Sequence, residues 1–164
     1  MKINKLASLL AMLCILFASQ ANAFELYDAV LSGRPQGIGQ MVSSIDGKHF
    51  YRLSDDRSAV EKVSYATGDV VSTVFNSATA RFCNIKEWDG FKMSEDESKI
   101  LLYTGAQSIY RHSFKADYYL YELRHNKLLK ISEEGGEEIA TMSPDARQVA
   151  YVKDNNVYIY KPVY

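Results

Sequence analysis

Met93-Ser94-Glu95-Asp96-Glu97-Ser98 runs into Ile100-Leu101-Leu102-Tyr103, and Tyr118-Tyr119-Leu120-Tyr121-Glu122-Leu123 runs into Leu128-Leu129-Lys130-Ile131. A serine followed two residues later by an aspartate favours a tight turn, because both side chains accept hydrogen bonds from nearby backbone N–H groups. The apolar and aromatic runs after it suit strands. Residues 91–132 therefore read as one small antiparallel sheet.

Pieces of the same pattern lie on either side. Ser44-Ile45-Asp46-Gly47 leads to Phe50-Tyr51, and Ser143-Pro144-Asp145-Ala146 leads to Val149-Ala150, each apolar pair starting six residues after its serine as in Ser94 and Ile100. The serines lie 50 and then 49 residues apart, which matches one propeller blade of four strands, about 40 to 50 residues. A turn recurring by chance in a β-rich chain is the plainer reading, and the preserved offset to the strand favours the repeat. The expected class is all-β, a partial β-propeller of fewer than three blades built from antiparallel meanders.

Lys2 and Lys5, an apolar run from Leu6 to Ala18 and the small-x-small Ala21-Asn22-Ala23 have the form of a secretory signal over residues 1–23. The run is shorter than the about 20 residues a membrane helix needs, so no membrane anchor is expected. Cys14 follows Leu13, where lipoprotein processing wants a small residue. Export to a periplasm or beyond is the expectation, with residues 24–164 as the propeller piece.

Removing the leader would leave 141 residues, one cysteine (Cys83) and 17 basic against 20 acidic side chains. A lone thiol forms no internal disulfide and reads as a small apolar residue. A net charge of −3 gives no basic field for nucleic acid. Partners are expected among peptides, proteins or small polar ligands.

Within the units, His49–Leu53, Val60–Tyr65 and Val70–Phe75 are expected strands, with Thr67-Gly68-Asp69 as a hairpin. Trp88 reads as packing between blades. The string from Gln107 to Asp117 reads as a long connecting loop, where function tends to sit. Glu133-Glu134 and Glu137-Glu138, around Gly135-Gly136, read as a solvated turn.

The chain offers no Gly-x-Ser-x-Gly elbow, His-Glu-x-x-His, paired cysteines or phosphate-cradling loop. His112 and Ser113 are neighbours on an extended chain and point to opposite faces, which disfavours a dyad. His49, His112 and His125 fall in three separate contexts, so no metal and no cofactor are expected. Arg111 stands apart, since its planar cation can bind carbonyl or carboxylate oxygens with two bonds; on the residues alone a solvated side chain is an equal reading.

The string Ile109-Tyr110-Arg111-His112-Ser113-Phe114-Lys115-Ala116-Asp117-Tyr118-Tyr119-Leu120-Tyr121, with Met142-Ser143-Pro144-Asp145 and Val149 to Tyr158 after it, resembles the N-terminal β-propeller of dipeptidyl peptidase IV, in its exported bacterial form. Val63 to Gly68 and Ala80-Arg81-Phe82-Cys83 fit the same pattern. The resemblance implies an exopeptidase that removes N-terminal dipeptides with proline or alanine second, in which Arg111 would reach the substrate's backbone carbonyl. It also implies that the ammonium-binding glutamates and the Ser-Asp-His triad belong to segments this chain does not contain, so no catalytic residue is assigned. A family propeller has about eight blades, so the chain is expected to be a truncated piece whose unpaired sheet edge drives self-association or recruits a partner.

Overall fold

The computed structural model describes residues 39–111 and 113–163. The expected leader at 1–23 lies outside them, as do His112 and Tyr164.

Among the described residues all regular structure is strand. β1 (Met41–Ser43), β2 (His49–Leu53), β3 (Ala59–Ser64) and β4 (Val70–Asn76) form one antiparallel meander in that order. β5 (Gly90–Met93), β6 (Lys99–Tyr110), β7 (Ser113–Glu122) and β8 (Lys127–Lys130) form a second. β9 (Glu137–Met142), β10 (Val149–Lys153) and β11 (Asn156–Tyr160) add three strands of a third. This is the expected succession of blades, two of four strands and one of three.

In each blade the serine turn joins the first two strands. Ser94 N–H donates to Lys99 O and Glu97 N–H to Ser94 O; Ser143 with Gln148 and Ala146 repeats the pair, as does Ser44 with His49 and Gly47. The Ser94 hydroxyl donates to Asp96 at 2.7 Å and accepts from Lys99 N–H at 2.9 Å. Ser143 does the same with Asp145 and Gln148. Ser44 departs from the scheme, because Asp46 turns instead to Lys62 at 2.8 Å and to His49 Nδ1 at 2.7 Å. A fourth copy sits at Ser54, between β2 and β3, with Val60 again six residues on. The turn therefore marks the first hairpin of each blade without being confined to it.

The fourth turn residue is left-handed every time: Gly47, Arg57, Glu97 and Ala146 have φ of 65°, 59°, 56° and 54°. Glycine would fit that backbone at least cost, yet only one turn has it. At Glu97 and Arg57 the side chain is used across to the neighbouring segment. Glu97 accepts from Ile45 N–H and from Tyr51 Oη, both at 2.8 Å. Arg57 Nε donates to Trp88 O at 2.8 Å. Lys99 Nζ reaches across to Ala146 O at 2.6 Å. These side chains clasp each blade to the next.

Burial explains why residues 100–103 read as an unbroken apolar run. Ile100 and Leu102 face a core shared with the first blade, while Leu101 faces one shared with the third. A strand covered on both faces has no polar side to show. In the first core Phe75, Tyr119 and Tyr121 surround Trp88 and one another edge-on, with ring centroids 4.8 to 5.6 Å apart. Trp88 is fully buried as expected, and its Nε1 donates to Ser77 Oγ. Cys83 is half-buried against the same core.

Two expectations are corrected. Residues 107–117 are not a connecting loop; β6 and β7 continue as a paired hairpin, from Gln107↔Lys115 to Tyr110↔Ser113. Glu137 is not solvated either, having no exposed surface at all. A bulge at Ile139, whose φ of 51° is rare for a β-branched residue, shifts β9 against β10 and turns Ile139 outward and Glu137 inward. Glu133 and Glu134 are exposed as read, the latter paired with Lys153 at 2.6 Å.

Candidate functional site

The longest hairpin, β6 and β7, carries Arg111 in its turn. Its two ladders differ in partner: the far half of β7 pairs β8, whereas Lys115 and Ala116 pair Glu138 and Glu137 of β9. β7 thus joins the second and third blades into one sheet and sends its first residues onward as an arm.

At the fork between β8 and β9 one backbone donor would be stranded. Tyr118 O accepts from Ile131 N–H, but Tyr118 N–H has no strand to meet and donates to Glu137 Oε2 at 3.1 Å. A buried orphan N–H costs about 1–3 kcal/mol, which is why a carboxylate is drawn inside here. Glu137 Oε1 has no hydrogen-bond partner among the described residues. Beside it Asp117 Oδ1 accepts from Gly136 N–H at 3.0 Å, with Lys130 Nζ 3.5 Å from Oδ2. Gly135, at φ 73°, leaves room for that carboxylate, since a Cβ there would collide with it.

The other side of the base is equally fixed. Ala106 N–H donates to Asp89 Oδ2 at 2.8 Å and Thr104 Oγ1 to Glu87 O at 3.1 Å. Tyr103 lies against Phe114 and Tyr118, ring centroids 5.2 and 5.5 Å away. Burial pushes the Tyr118 phenol up to about 12, so it stays a neutral part of this wall. Lys92 Nζ donates to Ala140 O at 2.6 Å, and burial pulls its ammonium below the ordinary lysine value.

Beyond this base the arm stands in solvent. β6 is exposed from Gly105 to its end, Tyr110 by 78%. Arg111 is exposed in the turn. No catalytic group is assembled around it among the described residues: His49 is hydrogen-bonded to Asp46 and His125 to Glu122, each within three residues. What the arrangement can do is hold an oxygen acceptor at a fixed distance from the blades. Asp117, Gly135 and Glu137, which fix its base, read in the sequence only as loop and solvated-turn residues; the one available signal of a structural role was a glycine pair bracketed by carboxylates next to a strand.

Successive antiparallel meanders, each with the same turn between its first two strands and clasped to the next, define this chain as part of a β-propeller. Residues 94–163 match the family model described as "Dipeptidyl peptidase IV (DPP IV) N-terminal region". The crystal structure of Porphyromonas gingivalis dipeptidyl peptidase 4 superposes with a TM-score of 0.71 at 40% identity, over 76% of this chain and 18% of that one. Dipeptidyl aminopeptidase B of Saccharomyces cerevisiae is 33% identical over 70 residues, which is 43% of this chain and 8% of the relative. Dipeptidyl peptidase 4 of Trichophyton rubrum is 25% identical over 134 residues, 80% of this chain and 16% of the relative. Residues 94–163 are thus similar to the N-terminal propeller region of the dipeptidyl peptidase IV family, and the chain spans a small fraction of its relatives' length.

Proposed function

We propose that this chain supplies part of the propeller of an exported dipeptidyl peptidase, in which Arg111 holds the backbone carbonyl of the peptide substrate. The observation that carries the reading is the arm: an exposed arginine at the tip of a hairpin whose base is fixed on both sides, in a chain similar to this family. A guanidinium offers two parallel donors to an oxygen acceptor. The leader pattern at residues 1–23 supports export. By itself the chain is expected to leave peptides intact, having no nucleophile elbow in its sequence.

The test is a chimera in which residues 39–163 replace the matching segment of the Porphyromonas gingivalis enzyme. It should cleave Gly-Pro-p-nitroanilide, and Arg111→Ala in that setting should lower kcat/KM by about 10- to 100-fold, the worth of a charged hydrogen bond. A folded, active chimera indifferent to Arg111→Ala would overturn the assignment. Hydrolysis by the chain alone would overturn the reading that it is a supporting domain.

A second reading rests on β11. Val157 and Ile159 are 73% and 60% exposed on this edge strand, and edges of that kind invite pairing. An interaction module that completes its sheet with another strand would purify as a folded oligomer, and a folded monomer in size-exclusion chromatography would refute it.

A further inference from the structure

Beside the start of β8, Arg81, Phe82, His125 and Lys127 line a cavity of about 300 Å³. We propose that it binds a small amphiphilic anion, a carboxylate or phosphate carried on an apolar group. The inference is independent of the peptidase reading.

The frame of this cavity is rigid. After β4 the chain returns and bridges the start of β8 in parallel: Arg81 N–H donates to Asn126 O at 2.9 Å and Leu128 N–H to Arg81 O at 3.1 Å. Asn126 is itself tied down, its Nδ2 donating to Thr79 O at 2.8 Å and its Oδ1 accepting from Tyr121 Oη at 2.9 Å. That bridge covers an edge strand, and it uses the backbone alone. It leaves the side chains of Arg81, Phe82 and Lys127 unaccounted for.

Their character points to a ligand. Three of the four lining residues are basic and none is acidic. Seven of the sixteen described lysines and arginines pair with a carboxylate, as Lys62 does with Asp46 and Lys153 with Glu134. Arg81 and Lys127 have no carboxylate partner among the described residues. Glu122 accepts from His125 Nδ1 at 2.6 Å, which orients the imidazole, and is the cross-strand neighbour of Lys127. Phe82 is 71% exposed at φ 66°. A left-handed backbone is unfavourable for such a residue and an exposed phenyl gains nothing from burial, so packing does not explain its pose. With the Arg81 guanidinium carbon 5.8 Å from the ring centroid, the ring offers an apolar wall beside the charges. The volume lies at the small end of ligand cavities, about 300–1,000 Å³, which suits a single ring or short chain with its anionic head.

The experiment is a ¹H–¹⁵N NMR titration of the full chain with N-acetyl-phenylalanine, its neutral primary amide and phenyl phosphate. The two anions should shift the amides of residues 81–83 and 125–127, and the amide should bind about tenfold more weakly or worse, as loss of a charge-assisted contact predicts. Arg81→Gln combined with Lys127→Gln should remove that preference and leave the amide's affinity unchanged. A tighter phosphate or a tighter carboxylate identifies the natural head group. Equal binding of acid and amide, or shifts confined to other residues, overturns the proposal, and that comparison needs only the native chain if the double variant does not fold.

Discussion

The two halves of β6 are one strand with two physical lives. From Lys99 to Leu102 it is buried on both faces, whereas from Gly105 to Tyr110 it is exposed throughout. The first half owes its extended form to cores on either side. The second half keeps it through the β7 ladder and the contacts at its base, since a two-stranded ribbon alone is marginal in water. Burial and strand formation are thus separable here, and the bulge at Gly105 (φ 67°) marks the changeover.

That contrast can be tested by substitution. Leu102→Ala should cost about 2–5 kcal/mol in denaturant unfolding, through lost transfer energy and the cavity left behind. Glu137→Ala should cost about 1–3 kcal/mol by stranding Tyr118 N–H, and hydrogen exchange at the arm should accelerate with it. Acid should act on the blade turns. The Ser54, Ser94 and Ser143 hydroxyls, with backbone N–H groups, hold Asp56, Asp96 and Asp145 below the usual carboxylate range. Depressed folded-state values mean a contribution complete above about pH 5 and lost as pH falls through them. The melting temperature should drop between about pH 4 and pH 2, less steeply once the three serines are alanine. Gly105→Ala should cost about 1 kcal/mol for its left-handed backbone, with faster exchange in residues 106–110 and none in 99–102. Tyr110→Ser should change stability by less than about 0.5 kcal/mol, and a larger loss would show that the arm packs on something.

Much of this architecture was readable from residue order. Strands with two buried faces announced themselves as apolar runs, and the serine turns recurred because the same hydroxyl–carboxylate geometry closes each of them. Ser54 shows where that signal blurs, since an identical turn serves inside a blade. The arm looked like a loop because residues exposed on both faces carry no alternation. Glu137 looked solvated because charge alone says nothing of a fork, several strands away, that leaves one donor stranded. Arg111 stood out by chemistry, but the hairpin that carries it did not.

The clasps between turns have a consequence for how such rings diversify. Glu97 fits Ile45 and Tyr51, Arg57 fits Trp88, and Lys99 fits Ala146, so each repeat bears a key cut for one particular neighbour. Reordering or duplicating these modules would leave left-handed Arg57 and Glu97 strained with nothing to grip. The segments are therefore alike in plan but not interchangeable in position, and recombination between them should be selected against.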